Sequence, residues 1–134
     1  MKPTVFLLSF FMSVIVSAQN PFDGNFKNEE LNLRLRINLY EPVIPQPQFE
    51  DELCFGVLSG SLNGQWIILK VNDISDNKAS VRAISNSGIE AQNLEIELNV
   101  DQSIDIKQVD STNIRGVKNN KYIKLPKHIH FDKK

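Results

Sequence analysis

Cysteine is almost absent from this chain, and that scarcity is the first limit on what it can be: Cys54 stands alone among 134 residues. A lone cysteine forms no internal disulfide, so the fold has to be held by packing rather than by covalent staples. Set in an apolar stretch, Cys54 reads as a small buried residue of a strand rather than as a reactive thiol. Catalytic signatures are lacking too. No Gly-x-Ser-x-Gly elbow occurs, and Ser59-Gly60-Ser61 stands without a recognisable base, which leaves it as turn chemistry. No stretch sustains the 3.6-residue period of an amphipathic helix, which turns attention to strands.

What is present begins with one apolar run. After Lys2, Thr4 to Val16 is apolar apart from its threonine and serines, and Val16-Ser17-Ala18 places small residues where a signal peptidase reads them. The run falls short of the roughly 20 residues that a membrane span requires. Residues 1–18 are therefore expected to be a cleaved signal peptide, with no cysteine at the junction to carry lipid and no stable membrane anchor afterwards. Residues 19–134 are expected to form a single domain, secreted or periplasmic. The hydrophobic share of 41% and charged share of 23% are ordinary for a globular chain. Charge is nearly balanced at −1 but unevenly placed. Residues 19–106 carry fourteen acidic and six basic side chains, and residues 107–134 carry two and eight. Such asymmetry marks either a charged partner or two faces that pair with each other and with water.

Period-two alternation dominates the remainder of the chain. From Leu31 to Tyr40, leucines and Ile37 point one way while Arg34 and Arg36 share the other, the mark of a half-buried antiparallel strand. Glu41 to Glu52 holds three prolines and reads as an extended loop ending in the acidic Glu50-Asp51-Glu52. Leu53 to Val71 is two apolar runs around Asn63-Gly64, a strong hairpin signal. A two-residue turn there sets Leu58 against Leu69 and Gly56 against Val71, leaving apolar residues on both faces, so something must cover the second face. Further strands are expected over 79–85, broken by Asn86-Ser87-Gly88, over 94–100, and over 104–107. An Asp101-Gln102-Ser103 loop sets Val100 against Ile104. Asn119-Asn120 is expected to make a tight turn, because asparagine tolerates positive φ. The last strand is expected to run on to Phe131, with Ile123, Leu125, Ile129 and Phe131 inward and Pro126 confining it to an edge or a bulge. The sum is an all-β fold: a small antiparallel meander barrel of about eight strands, or alternatively a β-sandwich.

Gly24-Asn25-Phe26, opening a meander of strands, resembles the glycine-x-aromatic start of calycin barrels, the lipocalin and avidin-like group. That resemblance implies a closed barrel whose mouth holds a small ligand. Phe26 stands where the group usually has tryptophan, and no ligand residue transfers.

Candidate chemistry is thin. His128-Ile129-His130 puts two imidazoles on one strand face, where they could share a metal if Asp132, Asp105 or Asp110 supplied a further ligand, although nearby lysines oppose a cation. Glu95 and Glu97 read as an exposed strand edge rather than an acid–base pair. A negative, exported chain is a poor nucleic-acid binder. The expectation is a non-enzymatic binding module for a small apolar or amphipathic molecule, with Phe49, Phe55 and Trp66 near its pocket and no cofactor. The alternative is a protein–protein module, such as an enzyme inhibitor or neutralising protein, that docks through the acidic loop or the basic C-terminal strand. A metal-dependent enzyme using His128 and His130 comes third.

Overall fold

Each apolar alternation pairs with the next one along the chain, and the last returns to the first. The computed structural model describes residues 20–86, 90–110 and 113–134. The expected signal peptide lies outside those residues, as do Ser87 and Gly88 of the turn anticipated after Ser85. The strands are β1 (Asp23–Asn28), β2 (Leu33–Asn38), β3 (Ile44–Pro45), β4 (Leu53–Cys54), β5 (Gly56–Gly60), β6 (Trp66–Ile74), β7 (Lys78–Ser85), β8 (Ala91–Leu98), β9 (Ile104–Gln108), β10 (Arg115–Lys118), β11 (Lys121–Lys124) and β12 (His128–Lys133).

Eight of them close into an antiparallel barrel in the order β1-β2-β5-β6-β7-β8-β9-β12, with β12 pairing back onto β1. The fold is all-β, the barrel is a meander, and no helix occurs among the described residues. Two short hairpins are inserted into this circuit, β3–β4 between the second and third barrel strands and β10–β11 between the seventh and eighth. Eight strands enclose a space that side chains can fill. Here Phe22, Phe26, Leu35, Trp66, Ile96 and Phe131 belong to one continuous buried cluster drawn from around the wall. Fully burying side chains of this size stabilises by roughly 1.5–3 kcal/mol each, which is how a chain without disulfides holds together.

The two-residue turn at Asn63-Gly64 is corrected by the observed register. Gly56 pairs with Ile68, Val57 with Ile67 and Leu58 with Trp66, three residues away from the expected pairing. The cause lies at the top of β5. Gly60 pairs with Leu33 on β2, and Ser61 to Asn63 leave β6 to bond β10: Ser61 accepts from the Val117 N–H at 2.9 Å, and Leu62 bridges Gly116. An odd shift exchanges the faces of a strand. It sends Leu58, Trp66 and Ile68 together into the core and turns Val57 and Ile67 outward.

The outward pair is covered by the segment just before it. Ile44 and Cys54, themselves paired across β3–β4, pack on Ile67 and Val57 as a second small apolar cluster outside the wall. The proline-rich stretch is thus a short hairpin rather than a plain loop. Two further expectations need correction. Leu98 rather than Val100 faces Ile104, because the connection is longer, with Asn99 N–H donating to Ser103 O, and Val100 is left exposed. The last strand does not run through Pro126 and is not an edge: it breaks into β11 and β12, and β12 is paired on both sides. The Asn119-Asn120 turn forms as expected, with φ of 53° and 62° closing Lys118 onto Lys121.

Candidate functional site

The β3–β4 hairpin lies as a ridge on the outer wall, and a cleft runs along each flank. On one side, a cleft of about 270 Å³ opens between the ridge and the outer faces of β1, β2 and β5. Period two decides its lining. With Leu33, Leu35 and Ile37 drawn into the core, Arg34 and Arg36 must project outward, and the pairing places Arg34 beside Lys27 and Ser59, and Arg36 beside Asn25 and Val57. Ile44, Pro45 and Pro47 of the ridge supply the apolar wall, and Lys134, whose N–H donates to Asn25 O at 2.9 Å, closes the end. The ion pairs of the described residues are Lys27–Glu29, Lys78–Glu97 and His130 with Asp105 and Asp132. Neither arginine belongs to one, so among the described residues no carboxylate lies within ion-pair distance of either guanidinium group.

The other flank holds a cleft of about 260 Å³ between the ridge and β6–β7, lined by Phe49, Leu69 and Ile84 among others. Leu69 sits at a register irregularity of β6, which turns it outward. Phe49 is 58% exposed and stands beside the exposed Glu50-Asp51-Glu52.

The three aromatics expected around a pocket are not brought together. Trp66 is buried in the core opposite Leu58 and Ser85. Phe55 is half-buried against that core, its N–H donating to Ile68 O. Phe49 lies outside the wall. Cys54 is a buried structural thiol, with Sγ 3.3 Å from Ile44 O and 3.4 Å from Gly56 O, and burial pushes its pKa up.

His128 and His130 both point outward from β12, with Ile129 and Phe131 buried between and beyond them. Cross-strand pairing sets His128 against Lys107 and His130 against Asp105. Both ring nitrogens of His130 are engaged, Nδ1 with Asp105 at 2.7 Å and Nε2 with Asp132 at 3.0 Å. A ring bonded to carboxylates at both nitrogens suits the imidazolium, in which both donate. The Asp105 hydrogen bond raises the His130 pKa above the ordinary histidine value; burial opposes it, and the weaker hydrogen bond to Asp132 adds to the rise. Among the described residues, no group of three His, Cys, Asp or Glu side chains is arranged to hold a metal ion.

Sequence reasoning missed the polar pair that anchors the second insertion. Gln92 and Gln108 are both 1% exposed, and Gln92 Nε2 donates to Gln108 Oε1. Gln108 also accepts from the Ile114 N–H at 2.6 Å and donates to Pro126 O at 2.9 Å, while Gln92 accepts from the Asp110 N–H. The signal was available: each continues the inward parity of its strand, where an apolar residue is the rule.

Comparison with protein-family models, with curated proteins and with solved structures finds no match to this chain. The closed eight-stranded barrel is compatible with a calycin-like architecture, and the likeness stops at that shape.

Proposed function

We propose that this protein is a non-enzymatic binding module whose site is the cationic cleft between the β3–β4 ridge and β1-β2-β5. Its ligand is a small amphipathic anion. The observation that carries the reading is the pair Arg34 and Arg36, side by side on the open wall, in no ion pair among the described residues and facing the apolar Ile44, Pro45 and Pro47. A carboxylate or phosphate offers the planar or forked acceptor that guanidinium recognises, and the prolines and Val57 shelter a short apolar body. At about 270 Å³ the cleft lies near the small end of ligand pockets, which run from roughly 300 to 1,000 Å³, so a short chain is favoured. The expected export of the chain places such a module outside the cytoplasm.

Titration calorimetry with octanoate, octyl phosphate and octanol tests this. Both anions are expected to bind and the neutral alcohol is not, and R34Q/R36Q is expected to abolish binding without unfolding the barrel. Equal binding of octanol, or undiminished binding by R34Q/R36Q, overturns the reading.

A protein–protein role is favoured instead by the ridge itself, where Phe49 and Leu53 are 58% and 51% exposed on either side of the acidic Glu50-Asp51-Glu52. A partner that loses affinity with F49A/L53A and keeps it with R34Q/R36Q decides for that role.

A further inference from the structure

The second insertion carries a separate feature. Between Asn113 and Pro126 the chain has four cations and no acidic residue, and strand pairing sets the cations directly against one another, Arg115 opposite Lys124 and Lys118 opposite Lys121. All four are exposed, and none is in an ion pair among the described residues. Like charges directly opposite on a two-stranded ribbon destabilise it. The hairpin nevertheless forms, because its base is tied down. Gly116 bridges Leu62, Val117 N–H donates to Ser61 O, and the flanking Ile114 and Leu125 are buried in the barrel cluster. The cations are thus presented on a fixed ribbon with their repulsion unrelieved.

We propose that the β10–β11 hairpin is a docking site for a flexible anionic polysaccharide. Arg115 and Lys118 lie three residues apart, roughly 10 Å along the strand, so the two pairs call for anions that recur along a chain rather than for one phosphate or carboxylate. Three residues is an odd step, so the pairs project to opposite faces, and a ligand has to wrap the ribbon to meet both. A flexible polymer does this, while a flat bilayer surface or a rigid duplex meets one face. The tip is Asn119-Asn120, whose amides suit hydroxyls, and apolar area to enter a bilayer is limited to the exposed Tyr122 and the half-buried Val117 and Ile123. Tyr122 is 63% exposed on the face of Arg115 and Lys124, where it can stack on a sugar ring. Expected export favours a glycan over a nucleic acid. The net charge of the whole chain is −1, so attraction to a polyanion has to be local to this hairpin. The hairpin is distinct from the ridge cleft, and the proposal stands without it.

Fluorescence anisotropy of the full chain with a labelled heparin oligosaccharide tests the assignment. Binding is expected, weakening steeply with salt, and R115Q/K124Q and K118Q/K121Q are each expected to lower affinity by about tenfold or more. K70Q/K107Q, which removes equal charge from the barrel wall, is expected to change it less than about twofold. Because each hairpin variant also removes a repulsive pair, its unliganded melting temperature is expected to be at or above that of the parent, which separates lost binding from lost folding. The proposal fails if no binding occurs, if K70Q/K107Q weakens binding as much as the hairpin variants, or if those variants melt below the parent. It fails equally if single-stranded DNA of matched charge, or phosphatidylglycerol vesicles, bind about tenfold more tightly than the glycan.

Discussion

Gln108 shows how one side chain can serve two segments. Its amide closes hydrogen bonds to a backbone donor at Ile114 and a backbone acceptor at Pro126, so the chain can leave the barrel after β9 and re-enter at β12 without stranding buried polar groups. Gln108→Leu would keep the volume, strand both backbone partners and remove the hydrogen bond from Gln92. The expected cost is about 3 kcal/mol, checked by urea unfolding at neutral pH. His130 makes a different prediction. Its pKa is raised in the folded state, so its contribution is fully present below the unfolded value of about 6.5 and is lost as pH rises through the folded value. The stability difference between the parent and His130→Gln is therefore expected to be largest below about pH 6.5 and to shrink as pH rises from there through the raised folded value. With the side chain 49% exposed, screening keeps this small, under about 1 kcal/mol, and unfolding curves across that pH range measure it. The outward direction of both histidines was legible from alternation with Ile129 and Phe131. Asp132 was legible by the same parity, whereas the choice of Asp105 over Asp110 on the neighbouring strand waited for the register.

Turn geometry governs the elements. Gly60 has φ of +119°, and a Cβ there would collide with the carbonyl of Asn32. The bend lets β5 stay paired with β2 to its last residue while Ser61 to Asn63 turn away to β10, so Gly60→Ala is expected to cost about 2 kcal/mol by thermal unfolding and to loosen the second insertion. The Asn63-Gly64 signal is where sequence reading went furthest astray. Asparagine–glycine does mark a chain reversal, and Gly64 has positive φ, but a local dipeptide carries no information that the end of β5 has a better partner in β10. Asn119-Asn120 succeeded by the same reasoning because its two flanking segments have only each other to pair with. The β8–β9 connection falls between these cases. The expected register was two residues off, which preserves parity, so Leu98 and Ile104 still meet on the inward side and only Val100 changes place.

At the level of the molecule, the barrel is a continuous ring of hydrogen bonds to which two hairpins are appended at their bases. Stability should be graded accordingly. Amide exchange is expected to be slowest in β7, β8 and β9, whose inward side chains lie in the main cluster, and faster in β3–β4 and β10–β11, which open locally without unfolding the ring. Exchange followed by mass spectrometry checks this, and uniform protection across hairpins and barrel would contradict it. Both proposed sites lie on or beside the insertions, where rearrangement costs least.

The amino-acid sequence determined by itself the strands and the inward face of most of them, because alternation with period two is a local property and the apolar residues must be hidden. It also showed Arg34 and Arg36 on one outward face, and a basic end to the chain. Only the tertiary structure decided that Ile44 and Cys54 cover Val57 and Ile67, that Arg34 and Arg36 meet the proline ridge, and that Arg115 opposes Lys124. The reason is register: a period-two pattern reads the same after a shift of two residues, so the partner across the sheet is chosen by closure of the ring and by turns whose best hydrogen bonds are made far away in the chain.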